Sequence, residues 1–291
     1  MNILILGGNG YLGSKLVCSL ANENQHDLVC TRMGNSDISM LQTLVDENKL
    51  RIIPATSEAV QTAMKYQSFD LVINMVCSYG GRGTLYDDVL EANLHFPLQV
   101  LNISAANNVQ RFLTIGTSLP DSLNMYSYSK AEFAKFGQYY VENHNLDFYN
   151  ILPEMFYGSD EPRNRFLPSL IEKMLAGDEV NVTIGTQQRD IIAAQDVIKA
   201  LLMVVHSNLK GYHEIPVGTG IAPKMSEIVD YIWEQTGRKS KINKGAVPMR
   251  KNEPNCVADT HTMRLLGKWE PRDWKTGILQ MIQEIAGGLS K

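Results

Sequence analysis

The chain has 291 residues, 44% of them apolar and 20% charged, with 27 basic against 31 acidic side chains and a formal net charge of −4. Such a length suits one main domain and a smaller appendage, and the slight acidity argues against a nucleic-acid or anionic-membrane partner. No apolar run nears the ~20 residues of a membrane helix. The N-terminus lacks the basic segment of a signal peptide, and Cys18, Cys30, Cys77 and Cys256 lie far apart with no C-x-x-C and no paired histidines. Neither a disulfide framework nor a metal site is expected, and the location expected is cytoplasmic.

Strand-like and helix-like segments alternate from the first residues onward. Strands are predicted at residues 3–6, 28–31, 51–54, 70–74, 111–116 and 147–152. Helices are predicted at residues 12–22, 39–47, 57–66, 86–107 and 126–143. Near-continuous apolar strands in repeated βα units predict an α/β fold, a Rossmann-type doubly wound parallel sheet that binds its ligands at the carboxyl ends of the strands. After Pro153 prolines cluster and loops lengthen, with helices expected at 166–176, 196–206 and 226–236 and a strand at 212–217. A dinucleotide-binding domain is therefore placed at 1–153. A smaller mixed substrate-binding region follows at 154–291, its segment near 191–218 packing back on the first domain.

Three motifs carry chemistry. Directly after the first strand comes Gly7-Gly8-Asn9-Gly10-Tyr11-Leu12-Gly13. Gly7 permits a tight turn, Gly10 a close approach of the backbone to a pyrophosphate, and Gly13 close helix–strand packing. The first free N–H groups of the helix, at Tyr11 and Leu12, face the anion. The second motif is Tyr126-Ser127-Tyr128-Ser129-Lys130. Tyr126 and Lys130 share a helix face, so the ammonium, joined by the positive nicotinamide of an oxidised cofactor, is expected to favour phenolate and bring the phenol's pKa toward neutral pH. Alone, this spacing is common in helices. The third is Gly116-Thr117-Ser118, a strand end whose hydroxyls suit either a carbonyl oxygen or the turn before Pro120.

Together these residues resemble the extended short-chain dehydrogenase/reductases that act on nucleotide-linked sugars, over nearly the whole chain. Gly7, Gly10 and Gly13 match the family's glycine motif, Asn93 its mid-helix asparagine, Thr117/Ser118 its hydroxyl residue, and Tyr126 with Lys130 its catalytic pair. The resemblance implies that Tyr126, Lys130 and Thr117 or Ser118 are catalytic, and that Lys130 also holds the nicotinamide ribose. It implies further that Arg189, in Gln188-Arg189-Asp190, and Arg250 meet the sugar-nucleotide diphosphate. Read without it, Arg189 pairs locally with Asp190 and Arg250 is a solvated charge.

The second strand ends in Thr31-Arg32 where NAD-binding chains usually place an acid, so NADPH is the expected cofactor, with NAD the alternative and Asp37 in the following loop. Leu119-Pro120 stands where sugar dehydratases carry an Asp-Glu pair, which excludes a 4,6-dehydratase. Cys77-Ser78-Tyr79-Gly80, Phe156-Tyr157-Gly158 and the short span from Ser118 to Tyr126 look most like the paratose and abequose synthases, NADPH-dependent reductases of CDP-linked 4-keto-deoxyhexoses. Glu154 either contacts a sugar hydroxyl or accepts backbone N–H groups. The expectation is a reductase of a nucleotide-activated 4-keto-deoxyhexose, in a homodimer like others of the group. The alternatives are an NAD-dependent 4-epimerase and a non-catalytic NADP-sensing protein.

Overall fold

Each βα unit of the N-terminal half folds as a buried strand followed by a helix that covers it. The computed structural model describes residues 1–81 and 83–289. In chain order the first half runs β1 (Asn2–Leu6), α1 (Tyr11–Asn22), β2 (Asp27–Arg32), α2 (Gln42–Asp46), β3 (Leu50–Pro54), α3 (Ser57–Tyr66), β4 (Leu71–Asn74), α4 (Tyr86–Leu90), α5 (Phe96–Ala106), β5 (Arg111–Ile115), α6 (Met125–Asn143) and β6 (Asp147–Pro153). The second half adds β7 (Met155–Tyr157), α7 (Phe166–Ala176), β8 (Val180–Val182), β9 (Ile191–Ala193), α8 (Ala194–Val205), β10 (Tyr212–Val217), α9 (Met225–Gln235), β11 (Ile242–Lys244), α10 (His261–Leu266) and α11 (Trp274–Leu289).

The chain divides into two compact units. One comprises Met1–Leu152 with Ala200–Ile215, the other Pro153–Lys199 with Pro216–Lys291. In the first, the sheet order is β10-β6-β5-β4-β1-β2-β3, and β1 to β6 pair in parallel. The chain reverses its direction of travel across the sheet between β1 and β4, which places a ligand crevice at the carboxyl ends of those two strands. Ile3, Leu4, Ile5 and Leu6 of β1 have no exposed surface, as a strand covered on both faces requires. Phe112 and Phe148 stack across β5 and β6 with Phe133 of α6 set edge-on to both. Phe133 thus serves the core, whereas Phe136, one helical step on, lies on the surface.

The helix expected at 86–107 is not one regular helix. Residues Glu91–His95 form a π-helical turn between α4 and α5. Pro97 has no N–H to give the Asn93 carbonyl, so the α ladder is broken at that point. The extra residue carries Asn93 inward, where it is fully buried.

The second unit has its own core, in which Leu170, Ile171 and Met174 of α7, Ile228 and Ile232 of α9, and Ile278, Ile282 and Ile285 of α11 meet. Two short parallel ladders, β7 with β9 and β8 with β11, frame it.

Candidate active site

The carboxyl edge of the first unit's sheet carries the three motifs. Gly7 follows β1 with φ of 69°, a left-handed turn that a side chain would strain. A Cβ at Gly13 would stand 2.5 Å from the Gly7 carbonyl oxygen and 2.9 Å from the Gly8 backbone, so helix and loop touch through hydrogen alone. Gly10 is the N-cap of α1 and offers no side-chain cap. The first turn of α1, at Tyr11 and Leu12, thus forms the positive end of a 12-residue helix beside the glycine turn. These features fit a dinucleotide diphosphate.

Thr31, fully buried at the end of β2, accepts the Gly7 N–H at 3.1 Å. Asn9 reaches the Ser36 hydroxyl at 2.9 Å and the Asp37 carbonyl at 3.0 Å. Arg32 gives its Nε–H to the Ser36 carbonyl at 2.7 Å. The loop after β2 is thus fastened to the glycine turn, with one guanidinium edge committed.

Helix α6 starts on a capping box between Asn124 and Ser127, which sets the orientation of its first turn. Within that turn Tyr126 is 9% exposed. The side chains of Thr117 and Cys77 lie beside its phenol. The Tyr79 ring lies against it, centroids 4.9 Å apart. Burial, reinforced by Cys77 and Tyr79, pushes the phenol above the ordinary tyrosine range, and Thr117 opposes that only in part. One turn further on, Lys130 is buried and donates to the carbonyls of Val76 at 2.8 Å and Ile115 at 2.9 Å, which lie beyond β4 and at the end of β5. Burial lowers the affinity of its amine for the proton.

The expected pull of Lys130 on Tyr126 is therefore not what the protein alone produces. Desolvation governs the phenol and keeps it protonated. Of the two hydroxyl candidates, Thr117 has its side chain beside the Tyr126 phenol. Thr117, Ser118 and Lys130 border a cavity of about 440 Å3, walled by α6, Asn150, Leu152 and Glu214. Asn93 holds this edge together. It takes the Ser78 N–H and gives one amide hydrogen to the Ser78 carbonyl, both at 2.8 Å, and the other to the Ser129 hydroxyl at 3.2 Å.

The second unit brings together Glu154, Arg189 and Cys256. Arg189 is 9% exposed and pairs with Glu253, not with its neighbour Asp190, at 2.5 Å, and it donates to the Cys256 sulfur at 2.7 Å. Asp190 is fully buried and accepts from the backbone of Thr219 and Gly220 at 2.9 and 2.8 Å, so it shapes the turn after β10. Glu154 is buried, with its backbone N–H on the Val217 carbonyl at 2.9 Å. Arg250 is exposed.

Sequence reading assigned no role to Cys77, Tyr79 or Glu253. The first two follow β4 by three and five residues, at the sheet edge where a ligand is expected, and that position was the available signal. Glu253 gave none, because its partner is 64 residues away in the chain.

The model of the NAD dependent epimerase/dehydratase family matches residues 3–218. The CDP-abequose synthase of Salmonella muenchen is 26% identical over 289 residues, covering 96% of each chain. Among solved structures, UDP-glucuronic acid 4-epimerase from Bacillus cereus, in complex with UDP-glucuronic acid and NAD, superposes with a TM-score of 0.85 at 19% identity over 99% of both chains. UDP-glucose 4-epimerase of Thermotoga maritima gives 0.84 at 19% identity, over 99% of this chain and all of the other. At such identities the structural likeness speaks for the fold.

Proposed function

Because the chain belongs to the NAD dependent epimerase/dehydratase family, we propose that it is an NADPH-dependent reductase of a nucleotide-activated 4-keto-deoxyhexose, of the kind that CDP-abequose synthases carry out. The observation that carries this reading is the buried Tyr126 phenol beside Thr117, one helical turn from Lys130, at the sheet edge that also holds the glycine turn. Reduction of a ketone needs a proton donor, and a phenol kept neutral by burial is one.

In this reading Gly7, Gly10, Gly13 and the N–H groups of Tyr11 and Leu12 hold the cofactor diphosphate. Thr31 shapes the loop, and the unspent edge of Arg32 takes a 2′-phosphate through charge-assisted hydrogen bonds. The bound nicotinamide supplies the hydride. Lys130 binds the adjoining ribose, exchanging one of its carbonyl partners for a ribose hydroxyl. Thr117 hydrogen-bonds the carbonyl oxygen, and Tyr126 gives it a proton as negative charge develops. Arg250, Arg189 and Glu154 are assigned to the nucleotide sugar, Arg250 as the exposed charge that meets the diphosphate first. Arg189 shares its guanidinium between that anion and Glu253.

Tyr126→Phe tests the assignment. The variant is expected to bind NADPH as the parent does while turnover of a nucleotide-linked 4-keto sugar falls by about 100- to 10,000-fold. Turnover at the parental rate would remove Tyr126 from the chemistry.

A further inference from the structure

At the opposite edge of the first unit's sheet, three side chains converge that the proposed reaction does not use. Glu23 is the C-cap of α1, and Asn24 turns left-handed with φ of 52°. The reversed chain brings His26 back onto Glu23, Nε2 to Oε2 at 2.7 Å. His206, the residue after α8, reaches the other carboxylate oxygen with its Nε2 at 3.0 Å. Glu23 and His206 are 183 positions apart in the chain, so no spacing in the sequence announces the cluster. The imidazole rings lie nearly parallel with centroids 6.0 Å apart. One potential ligand atom from each residue falls within 4.8 Å of the others. The His26 side chain is 2% exposed, which holds its ring in place, while His206 is 40% exposed and leaves the cluster open to solvent.

Two imidazoles and one carboxylate are the donor set of a borderline divalent metal. Tetrahedral ligands at zinc–ligand distances of about 2.0–2.1 Å lie about 3.4 Å apart. The two Glu–His gaps, 2.7 and 3.0 Å, would widen by about 0.7 and 0.4 Å, with the part-exposed His206 as the ligand that moves. We propose that Glu23, His26 and His206 form a three-ligand site for a divalent transition metal of the Zn(II) class. Its remaining coordination positions are taken by water, and it fastens the turn after α1 to the end of α8. Each histidine ligates through Nε2 and so carries its proton on Nδ1.

The test is a Zn(II) titration by calorimetry of the full chain, stripped of metal by a chelator and free of cofactor and substrate. His206→Ala and Glu23→Gln are titrated alongside, and Co(II) serves as a spectroscopic probe. The expected result is one Zn(II) per chain and a rise in Tm on binding. Affinity should fall by about 100-fold or more in His206→Ala, whose metal-free unfolding should match the parent because that side chain is half in solvent. The Co(II) spectrum should lack a thiolate charge-transfer band. Absence of stoichiometric binding, parental affinity in both variants, or a thiolate band would overturn the proposal. None of these readouts depends on catalytic turnover.

Discussion

Thr117 and Ser118 are adjacent hydroxyls in the loop two and three residues past β5. Thr117 meets the Tyr126 phenol, and its oxygen also accepts the Leu119 N–H at 3.3 Å. Thr117→Ala is therefore expected to lower kcat by about 100-fold, with Thr117→Ser restoring most of it, whereas Ser118→Ala stays within about threefold of the parent. Steady-state rates with a 4-keto sugar nucleotide decide between them. The sequence narrowed the choice to two residues but could not go further, because both sit in an irregular loop whose side-chain directions no periodicity sets. Glu161 gives a second residue-scale prediction. Burial raises its carboxyl to about 7 from 4.5, against the pull of Arg165. The folded state keeps a proton that the unfolded chain releases, so this contribution to stability is full below pH 4.5 and is lost as pH rises through 7. Glu161→Gln should add on the order of 1–3 kcal/mol at pH 8 and nothing measurable at pH 4, read from urea midpoints.

Among the elements, α6 does most to set the site, and its placement rests on Gly137. A Cβ there would overlap the Phe148 ring. Gly137→Ala would gain about 1 kcal/mol in helix propensity. The overlap is expected to cost more, leaving a net loss of about 1–3 kcal/mol in thermal or denaturant unfolding. Strands β1 to β6 were legible because buried parallel strands read as apolar runs, and α6 because its heptad-scale pattern is long. The π turn around Asn93 was not, since Pro97 marks a break in hydrogen bonding without saying how the chain accommodates it. In the second unit β7, β8, β9 and β11 have three residues each, too few to show alternation. Helix α11 escaped notice because Gly277, Gly287 and Gly288 dilute its pattern.

For the whole molecule, the family and the doubly wound sheet follow from the first 218 residues, and no helix among the described residues is long and apolar enough to cross a membrane. The choice of reductase over epimerase rests on two features. Arg32 ends β2 where the proposed cofactor's 2′-phosphate would lie, and burial raises the Tyr126 phenol, which suits the proton donor proposed for it. An epimerase recycles one retained NAD, whereas a reductase consumes cofactor. The direct measurement is cofactor oxidation by the purified chain against CDP-, dTDP-, UDP- and GDP-linked 4-keto sugars, with NADPH and NADH followed separately. The account predicts stoichiometric NADPH oxidation with at least one of these sugars and a clear preference over NADH. A chain that carries tightly bound NAD and inverts a sugar carbon with no NADPH added would contradict it.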